Sequence, residues 1–489
     1  MSSDGRLPTL AEAWQATALL LPVAVALAVP LSAVDLAYAV RAGQLMLAEG
    51  QVLRTDPFTF TAGGDPWLNQ QWLAQIVFAL IHEAGGWPGL VVLRAVLVGL
   101  TVALLLDTLR RAGLDRRSAA ILTLGAFLLA APALALRAQL LAVVLFSLTN
   151  WALTVGRRKP AVRWLLVPLA ALWANVHGTF PLLLGTLAVA WLAELVPAVS
   201  AGRSARWRFP ALIVATFLAS LVNPFGPAVW GYALGLAASP VVSGLASEWQ
   251  PTSPTTIPSL LFLLALAASL VFIVRSPVRP PWPSIAWLAL LALLSLRAER
   301  AIVWWALAAA VALAPALALA PAFARLRGTL TMERRSPANA VLVGALVVAC
   351  LAGLPWWRSG SPSHSRALLT DAPADLTDAL AGRIARPTRA YVTQPWASWL
   401  EYALPGVLTF VDSRFEVVPP AAWADYLVIA AAEPGWETRL DRWGIALVIV
   451  DRTREPNLAS ALETSPRWEV VASGPVSRGQ AFRRVSPTE

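Results

Sequence analysis

Long apolar runs of roughly 20 residues recur along the first three-quarters of the chain and alternate with short arginine-rich spacers. A helix rises about 1.5 Å per residue, so about 20 apolar residues cross the ~30 Å hydrocarbon core of a bilayer. The pattern predicts a polytopic α-helical membrane domain over 1–357 with about eleven transmembrane helices. The predicted spans are 15–35, 87–108, 118–136, 139–155, 162–176, 178–198, 209–224, 257–274, 281–296, 301–321 and 338–357.

The distribution of arginines predicts the orientation of these spans. One alternate set of loops holds most of the basic residues that lie between the predicted spans, in 110–117, 157–163, 203–208, 275–279 and 325–335. The opposite set holds only Arg41, Arg54, Arg137, Arg297 and Arg300. By the positive-inside rule the first set is cytoplasmic, so the N-terminus is inside and the segments 36–86, 225–256 and the C-terminal region are outside. This alternation requires that the nearly continuous apolar run around 175–179 is two spans.

Composition agrees with this prediction and excludes several classes of protein. The chain is 57% hydrophobic and 13% charged, with a mean hydropathy of +0.63, whereas soluble domains are about 25% charged. The net charge of +10 lies in loops between apolar runs, so it indicates membrane topology and not nucleic-acid binding. The single cysteine, Cys350, excludes an internal disulfide framework. The predicted location is the bacterial inner membrane, with the protein crossing it many times.

The C-terminal region has a different character. Residues 358–372 are rich in Ser, Gly and Pro and are typical of a linker. Over 373–489, short β-type runs alternate with helical stretches, which predicts a periplasmic α/β domain with a largely parallel sheet. Neither a glycine-rich nucleotide-binding motif nor a metal-spaced Cys/His cluster occurs in this sequence.

The polar residues that could carry chemistry fall on the predicted outer face. Asp35 ends the first span and opens an unusually long external segment, 36–86, whose amphipathic stretches and tryptophans predict interfacial helices. Carboxylates at this face could act as a base or bind a metal, and arginines could bind a phosphate. The other candidates there are Asp56, Arg137, Asn175, His177, Glu248, Arg297 and Arg300. Most have an ordinary structural interpretation, such as a helix cap for Asp35, a turn for Asp56 and an interfacial histidine for His177.

Several short motifs together resemble the GT-C superfamily of membrane glycosyltransferases, and within it an uncharacterised bacterial branch. That branch carries Asp-Leu-Trp-Trp-His-x-x-x-Gly, Thr-Asp-Pro-Phe-Ser-Phe-Thr, a Trp-Leu helix, Asn-x-His-Gly, Asn-Pro-x-Gly, Glu-Trp and Phe-x-Asp-x-Arg-x-Glu. The matching positions here are Asp35 with Gly43, the segments 55–61, 72–73, 175–178, 223–226 and 248–249, and the residues Phe410, Asp412, Arg414 and Glu416. The resemblance covers nearly the whole chain, although each motif is short.

This resemblance implies an inverting glycosyltransferase that uses a polyprenyl-phosphate sugar as donor and acts on an unidentified acceptor. Asp35, Glu248 and His177 would be catalytic, and Asp35 and Glu248 would be the candidate ligands of a divalent cation such as Mg²⁺ or Mn²⁺. Substrate would be bound by Asn175, Arg137, Arg297, Arg300, Asp56, Asp412 and Arg414. The hypothesis places Asp35, His177 and Glu248 in one cavity open to the outer leaflet and to water.

One departure from the pattern keeps other functions open. The Trp-Trp-His of the branch is Ala37, Tyr38 and Ala39 in this chain, which is compatible with a non-catalytic envelope scaffold. The number of spans also suggests a lipid or solute transporter. Such a protein should show paired repeats and polar residues near the middle of the bilayer, and the sequence shows neither.

Overall fold

The computed structural model describes residues 7–195, 203–238, 247–320, 335–358, 367–384 and 387–485. Among these residues, six helices are long and apolar enough to cross a membrane: Leu10–Ala28, Trp72–Arg111, Arg116–Leu134, Ala138–Gly156, Ile257–Arg275 and Glu299–Leu319. Five shorter apolar helices cover Pro160–Ala174, Pro181–Leu195, Phe209–Ser220, Trp282–Arg297 and Pro337–Ala352. A helix thus lies in each range that the hydropathy pattern predicts as a span, and the chain is a multi-pass membrane protein.

In chain order the helices before the C-terminal region are α1 Leu10–Ala28, α2 Ala33–Glu49, α3 Trp72–Arg111, α4 Arg116–Ala130, α5 Ala138–Gly156, α6 Leu166–Ala174, α7 Pro181–Leu195, α8 Arg203–Ser220, α9 Ala228–Ala238, α10 Ile257–Arg275, α11 Trp282–Arg297, α12 Ile302–Leu319 and α13 Pro337–Ala352. Polar side chains cap several of their first turns. Thr9 and Glu12 form a reciprocal capping box at α1, and Asp115 accepts two backbone N–H bonds at α4.

The apolar run around 175–179 is interrupted in the structure. Helix α6 ends at Ala174 and α7 begins at Pro181, with a short loop between them. Pro181 is the first residue of α7, a position where its missing N–H would have no partner within the helix. The break has the location that the alternation of arginines requires.

Helix α3 is longer than the predicted span 87–108 because two helices join end to end. Gly86 has non-helical angles, with φ of 59°, and it marks the kink between them. Only glycine adopts this conformation at low cost, which explains why the polypeptide bends there. Within the second part of α3, Arg94 is buried and donates to the carbonyl oxygens of Ala26 and Val29 at the end of α1. A cation in that place satisfies carbonyls that have no partner within the helix.

The chain divides into two compact units. The first comprises Met1–Val29, Val91–Ala233 and Ala246–Trp357. In it α1 packs against α4 and α13, α6 packs against α8, and α12 packs against α4, α5 and α11. Among the six long apolar helices of the described residues, Glu299–Leu319, which contains α12, is the most enclosed, since 72% of an 18-residue stretch is buried inside the protein. Other apolar helices, such as α10 and α13, leave many large apolar side chains exposed, as a lipid-facing surface requires.

The second unit comprises Pro30–Leu90, Leu234–Leu245 and Arg358–Glu489. Its strands are β1 Leu31–Ser32, β2 Leu369–Thr370, β3 Thr388–Val392, β4 Val407–Thr409, β5 Leu447–Asp451, β6 Trp468–Gly474 and β7 Gly479–Arg484. Its C-terminal helices are α14 Ala374–Leu380, α15 Gln394–Ala403, α16 Pro420–Ala430, α17 Trp436–Arg442 and α18 Pro456–Thr464. Most of the predicted linker, 359–366, lies outside the described residues.

The main sheet has the order β4-β3-β5-β7-β6. Strands β4, β3 and β5 are parallel, whereas β7 is antiparallel to both β5 and β6, so the sheet is mixed and not largely parallel. The physical reason is the short connection from Gly474 to Gly479, which is long enough for a hairpin but far too short for a parallel crossover.

Residues 36–86, named the first external segment here after their predicted location, belong to this same unit. Residues Phe58 and Phe60 bond to the edge strand β4, since Thr409 N donates to Phe58 O and Phe60 N donates to Thr409 O, both at 3.1 Å. Helix α2 also packs along α15. Covering a sheet edge removes unpaired backbone groups from solvent. The sequence predicted 36–86 as part of the membrane domain, but the structure groups it with the C-terminal region.

Candidate active site

Glu248 lies at the centre of a charged cluster in the first unit. It is carried by a single 3₁₀ turn, Ser247–Trp249. One of its carboxylate oxygens accepts from Arg137 Nη1, and the other is 3.0 Å from Arg300 Nη1. Arg137 immediately precedes α5, and Arg300 belongs to the short turn Glu299–Ala301 before α12. The short segments between helices therefore bring together the charges of Arg137, Glu248 and Arg300, which lie far apart in the sequence.

Two further contacts fix Arg300. Its Nη2 donates to Gln139 Oε1 at 3.1 Å, and Gln139 Nε2 donates back to the Arg300 carbonyl oxygen at 3.3 Å. Its guanidinium also lies over the ring of Trp249, 4.5 Å from the centroid. A cation held in this way by an amide and an aromatic face keeps one orientation.

A cavity of about 90 Å³ adjoins this cluster. Apolar side chains form most of its wall, and four charged residues and one amide converge on it. Such a combination is typical of a ligand site, in which apolar walls supply contact area and a few polar groups fix orientation. The lining residues are Leu129, Pro132, Ala133, Ala135, Arg137, Gln139, Glu248, Pro258, Glu299, Arg300, Ile302 and Val303.

The surroundings of Glu248 favour its ionised form. Burial raises the pKa of this carboxyl group, but the charges of Arg300 and Arg137 outweigh burial and hold the pKa below its usual value. Because a different guanidinium occupies each oxygen, Glu248 does not fit the role of a metal ligand in this arrangement. Across the ranges that the structure describes, no group of three or more His, Cys, Asp or Glu side chains could hold a metal ion.

His177 lies buried in the loop between α6 and α7. Its Nδ1 accepts from the Thr179 backbone N–H at 3.3 Å and is 2.9 Å from Thr179 Oγ1. Burial, followed by the nearby charge of Arg300, lowers the pKa of His177 to about 3, so the ring is neutral at physiological pH. His177 and the Glu248 cluster belong to the same unit.

Two other predicted residues have different surroundings. Asn175 Nδ2 donates to the carbonyl oxygens of Ala171 and Val222, both at 2.8 Å, and so connects the end of α6 to the end of α8. Arg297 is exposed at the end of α11, and the ion pairs of Glu248 involve Arg137 and Arg300 instead. The structure therefore brings together Glu248, Arg137 and Arg300, with His177 in the same unit and Arg297 at the exposed end of α11.

Asp35 lies in the second unit, in the first turn of α2, and is partly buried. The hypothesis that it shares one cavity with His177 and Glu248 stays a prediction, since those residues belong to the first unit. The start of α2 is held by the C-terminal region: Ser413 Oγ donates to Val34 O at 2.9 Å, and Tyr38 N donates to Ser398 Oγ at 2.7 Å. Asp35 is thereby positioned by contacts on both sides of it in sequence.

Arg414 is the centre of a buried ion-pair network in the same unit. Its Nε is 2.7 Å from Asp412 Oδ2, and its Nη2 is 2.7 Å from Asp56 Oδ1. Asp56 also accepts from the backbone N–H groups of Phe58 and Thr59, both at 3.1 Å, which makes it a turn residue as well. These three side chains are almost completely enclosed, at 2% exposure or less. The network therefore connects the first external segment to the segment that follows β4.

Three aromatic rings enclose the guanidinium of Arg414. Its central carbon lies 4.7 Å from the ring centroid of Trp67, 5.0 Å from Phe58 and 5.5 Å from Tyr38. All three rings come from the first external segment or from α2. Burial, supported by the negative charges of Asp35 and Glu416, raises the pKa of Tyr38 far above its usual range. Cation–π contacts of this kind are strongest where water is excluded.

Glu401, in α15, is a further buried acid near this network. Its Oε1 accepts from Thr409 Oγ1 at 2.7 Å, while its Oε2 is buried without a hydrogen-bond partner. Burial raises the pKa of Glu401 well above its ordinary value, and the negative charge of Asp412 adds to the rise. Burial also raises the pKa of Asp412, against the opposing effect of Arg414. Arg414 supplies one positive charge among the three carboxyl groups of Asp56, Asp412 and Glu401. A proton bound to one carboxyl group supplies the second positive charge, which accounts for the raised pKa values of Glu401 and Asp412.

A pH-dependent stability follows from Glu401. Its pKa is higher in the folded than in the unfolded protein, so the folded state binds more protons, and stability falls as pH rises from about 4.5 towards the raised pKa. One such proton contributes a slope of up to about 1.4 kcal/mol per pH unit. We expect Glu401→Gln, which imitates the protonated acid, to flatten the decline in thermal unfolding midpoint between pH 5 and 8. The matched control is Glu469→Gln, an exposed residue, and an equal slope in both variants would contradict the assignment.

Sequence analysis missed Glu401, Gln139 as a partner of Arg300, and the rings around Arg414. Glu401 lies within an ordinary amphipathic helix, so no local signal separates it from a surface acid. The alternating Phe58 and Phe60 beside Asp56 are typical of an extended segment, but the strand that they bond to, β4, lies about 350 residues further along the chain.

No protein-family model and no curated protein sequence matches the chain. Solved structures do resemble it. The Archaeoglobus fulgidus oligosaccharyltransferase AglB, in complex with an inhibitory peptide and a dolichol-phosphate, superimposes with a TM-score of 0.53 at 12% identity, over 96% of this chain and 74% of that one. ArnT from Cupriavidus metallidurans bound to undecaprenyl phosphate gives 0.51 at 16% identity, over 96% and 98% of the two chains. The arabinofuranosyltransferase AftD from Mycobacteria gives 0.57 at 19% identity, over 98% of this chain and 42% of that one.

Identities this low establish a common fold and leave the substrates of these proteins as properties of those proteins. The sequence motifs and the structural comparisons point to the same superfamily. The chain therefore has the fold of the GT-C membrane glycosyltransferases.

Proposed function

We propose that this protein transfers a sugar from a polyprenyl-phosphate carrier to an acceptor at the outer face of the bacterial inner membrane. The observation that carries the proposal is the cavity beside Arg137 and Arg300, in a chain with the GT-C fold. Its apolar wall suits a lipid chain, and paired guanidinium groups suit a phosphate. Similar proteins were solved with dolichol-phosphate and undecaprenyl phosphate, which supports the same class of carrier here.

The proposed membrane arrangement has eleven spans, a cytoplasmic N-terminus and the second unit outside. Its support is the asymmetry of arginines between alternate loops, together with a helix in each predicted range. In this arrangement Glu248, Arg137, Arg300 and Asp35 all lie towards the outer leaflet. A lipid donor would enter from the bilayer, and a polar acceptor would arrive from the aqueous side.

The proposed reaction is a displacement with inversion at the anomeric carbon. An acceptor hydroxyl or amide attacks that carbon and gives its proton to Asp35, while the bond from the carbon to the phosphate oxygen breaks and its electron pair leaves with the lipid phosphate. Arg137 and Arg300 would stabilise the charge that develops on the phosphate, which is usually the largest contribution to catalysis. His177, neutral in its loop, would orient a donor or acceptor group through its other ring nitrogen.

The remaining predicted residues have supporting roles in this proposal. Asp412, Arg414 and Asp56 are enclosed and paired with one another, so their contribution would be to hold α2, and with it Asp35, in place. Asn175 would fix the loop that carries His177. Arg297 stays a predicted contact for the lipid phosphate. A divalent cation on Asp35 stays a hypothesis, and no step of the proposed reaction requires it.

Transfer itself is the direct test. Purified full-length protein should move radiolabelled sugar from one of a panel of undecaprenyl-phosphate pentoses and hexoses to a bacterial envelope fraction. Arg300→Gln should weaken undecaprenyl phosphate binding by about 10–100-fold, because hydrogen bonds to charged groups contribute about 1.5–3 kcal/mol each. Native mass spectrometry measures the binding, and scintillation counting measures the transfer.

Arg275→Gln is the matched control for this variant, since Arg275 is exposed at the other end of the membrane helices in the proposed topology. It should bind lipid phosphate like the wild type. A folded protein that binds no lipid phosphate and transfers no sugar would favour the scaffold alternative. The burial of Ala37, Tyr38 and Ala39 already weakens that alternative, because the missing Trp-Trp-His lies at enclosed positions and not on an accessible surface.

A further inference from the structure

We propose that Glu248 competes with the phosphate of the lipid carrier for Arg137 and Arg300, and so sets how fast the spent carrier leaves. This inference rests on the proposed function and adds a release step at the same site. It assigns Glu248 a role other than base or metal ligand.

Glu248 binds both arginines at once. Each oxygen of Glu248 binds a different guanidinium, so the carboxylate bridges Arg137 and Arg300 as two oxygens of a phosphate would. Arg300 Nη1 is used by Glu248 and its Nη2 by Gln139, while its face is covered by Trp249. The carboxylate therefore occupies donors that a phosphate bound between the two arginines would use. The two anions also repel each other at this distance, so they exclude one another.

The charges around the cavity identify Glu248 as the carboxylate that can leave the two arginines. The cavity is lined by two arginines and two glutamates, and its formal charge is zero. The second glutamate, Glu299, accepts hydrogen bonds from the hydroxyl groups of Ser259 and Thr256, so it is held by neighbours of its own. Among the described residues, the side chain of Glu248 instead binds the two arginines; it is about one-third exposed and lies on a single short turn. A small rotation of that turn would release both guanidinium groups.

The chemistry of transfer gives the exchange a purpose. A polyprenyl-phosphate sugar is a phosphodiester with one negative charge, whereas the free lipid phosphate carries about −1.5 to −2 at pH 7. The arginines would therefore hold the product more tightly than the donor. A carboxylate that returns to the same two guanidinium groups offsets this difference and promotes release of the product.

The test compares lipid binding by three full-length proteins. Undecaprenyl phosphate affinity should rise in the order wild type, Glu248→Asp, Glu248→Gln, because the aspartate is too short to reach both arginines and the glutamine has no charge. We expect Glu248→Gln to bind at least about tenfold more tightly and to show a slower dissociation rate, since a full charge is removed from contact with both guanidinium groups. Undecaprenol, which lacks the phosphate, should bind all three equally.

The control is Glu194→Gln, which alters a glutamate of the first unit that pairs with Arg163. It should leave lipid affinity unchanged. Unchanged or weaker affinity in both Glu248 variants would overturn the competition, even if sugar transfer is observed. If the Glu248 variants bind more tightly but the wild-type protein transfers sugar from no donor, the competition is supported and the proposed enzymatic function is rejected. The aspartate variant retains a charged partner for the arginines, so it remains informative if the glutamine variant folds poorly.

Discussion

Asp35→Asn should reduce sugar transfer by about 10²–10⁴-fold, the usual contribution of a general base, while the protein stays folded. Asparagine has nearly the shape of aspartate but cannot accept a proton at neutral pH. The residue lies in the first turn of α2, where an acidic side chain stabilises the helix N-terminus by about 0.3–1 kcal/mol, so only a small loss of stability is expected. Transfer of radiolabelled sugar measures the first effect, and the thermal unfolding midpoint measures the second.

Asp65→Asn is the matched control, since Asp65 belongs to the same external segment and is exposed. It should retain full activity. Undecaprenyl phosphate binding should be unchanged in both variants, because the proposed phosphate contacts are Arg137 and Arg300. Full transfer by the Asp35→Asn protein would remove Asp35 from the mechanism. Loss of lipid binding together with transfer would instead indicate a structural role for Asp35.

Arg414→Met should destabilise the second unit by about 3–5 kcal/mol, the usual cost of removing one partner from a buried ion pair. Methionine fits among the rings of Tyr38, Phe58 and Trp67, so the aromatic contacts remain largely filled. The loss would come from Asp56 and Asp412, which keep their burial but lose their cation. For a unit of this size the unfolding midpoint should fall by about 6–20 °C. Amide hydrogen exchange should accelerate in α2 and β4 first.

Two comparisons separate the network from a general effect of mutation. Arg452→Met removes an exposed ion pair with Glu463 and should cost about 0–1 kcal/mol. The triple variant Asp56→Asn, Asp412→Asn, Arg414→Met removes all three charges and should recover part of the lost stability. If the triple variant is less stable than Arg414→Met alone, unpaired charge is not the cause of the loss.

The pattern of apolar residues was sufficient to predict where apolar helices lie along the described residues. Spans depend on local length and composition, so they can be counted along the chain without knowledge of distant contacts. The alternation of arginines even required the break between α6 and α7, where Pro181 supplies a local physical reason. Short β-type runs likewise indicated the strands of the C-terminal region, although not the antiparallel pairing of β7, which depends on which strands become neighbours.

The sequence also places the candidate polar residues on one predicted face, and its short motifs resemble those of the GT-C superfamily. The residue types alone do not determine the partners, burial or protonation of each side chain. Glu248 was equally compatible with a base, a metal ligand and an ion-pair partner, because those roles differ only in what surrounds the carboxylate.

Tertiary structure alone decided these surroundings. Arg137 and Glu248 are 111 residues apart in the chain, and Tyr38 bonds to a serine 360 residues away. It also placed the first external segment with the C-terminal region, enclosed Arg414 and left Glu401 with a raised pKa. Pairing, burial and charge balance depend on which distant segments pack together, and the periodicity of a sequence carries no information about that choice.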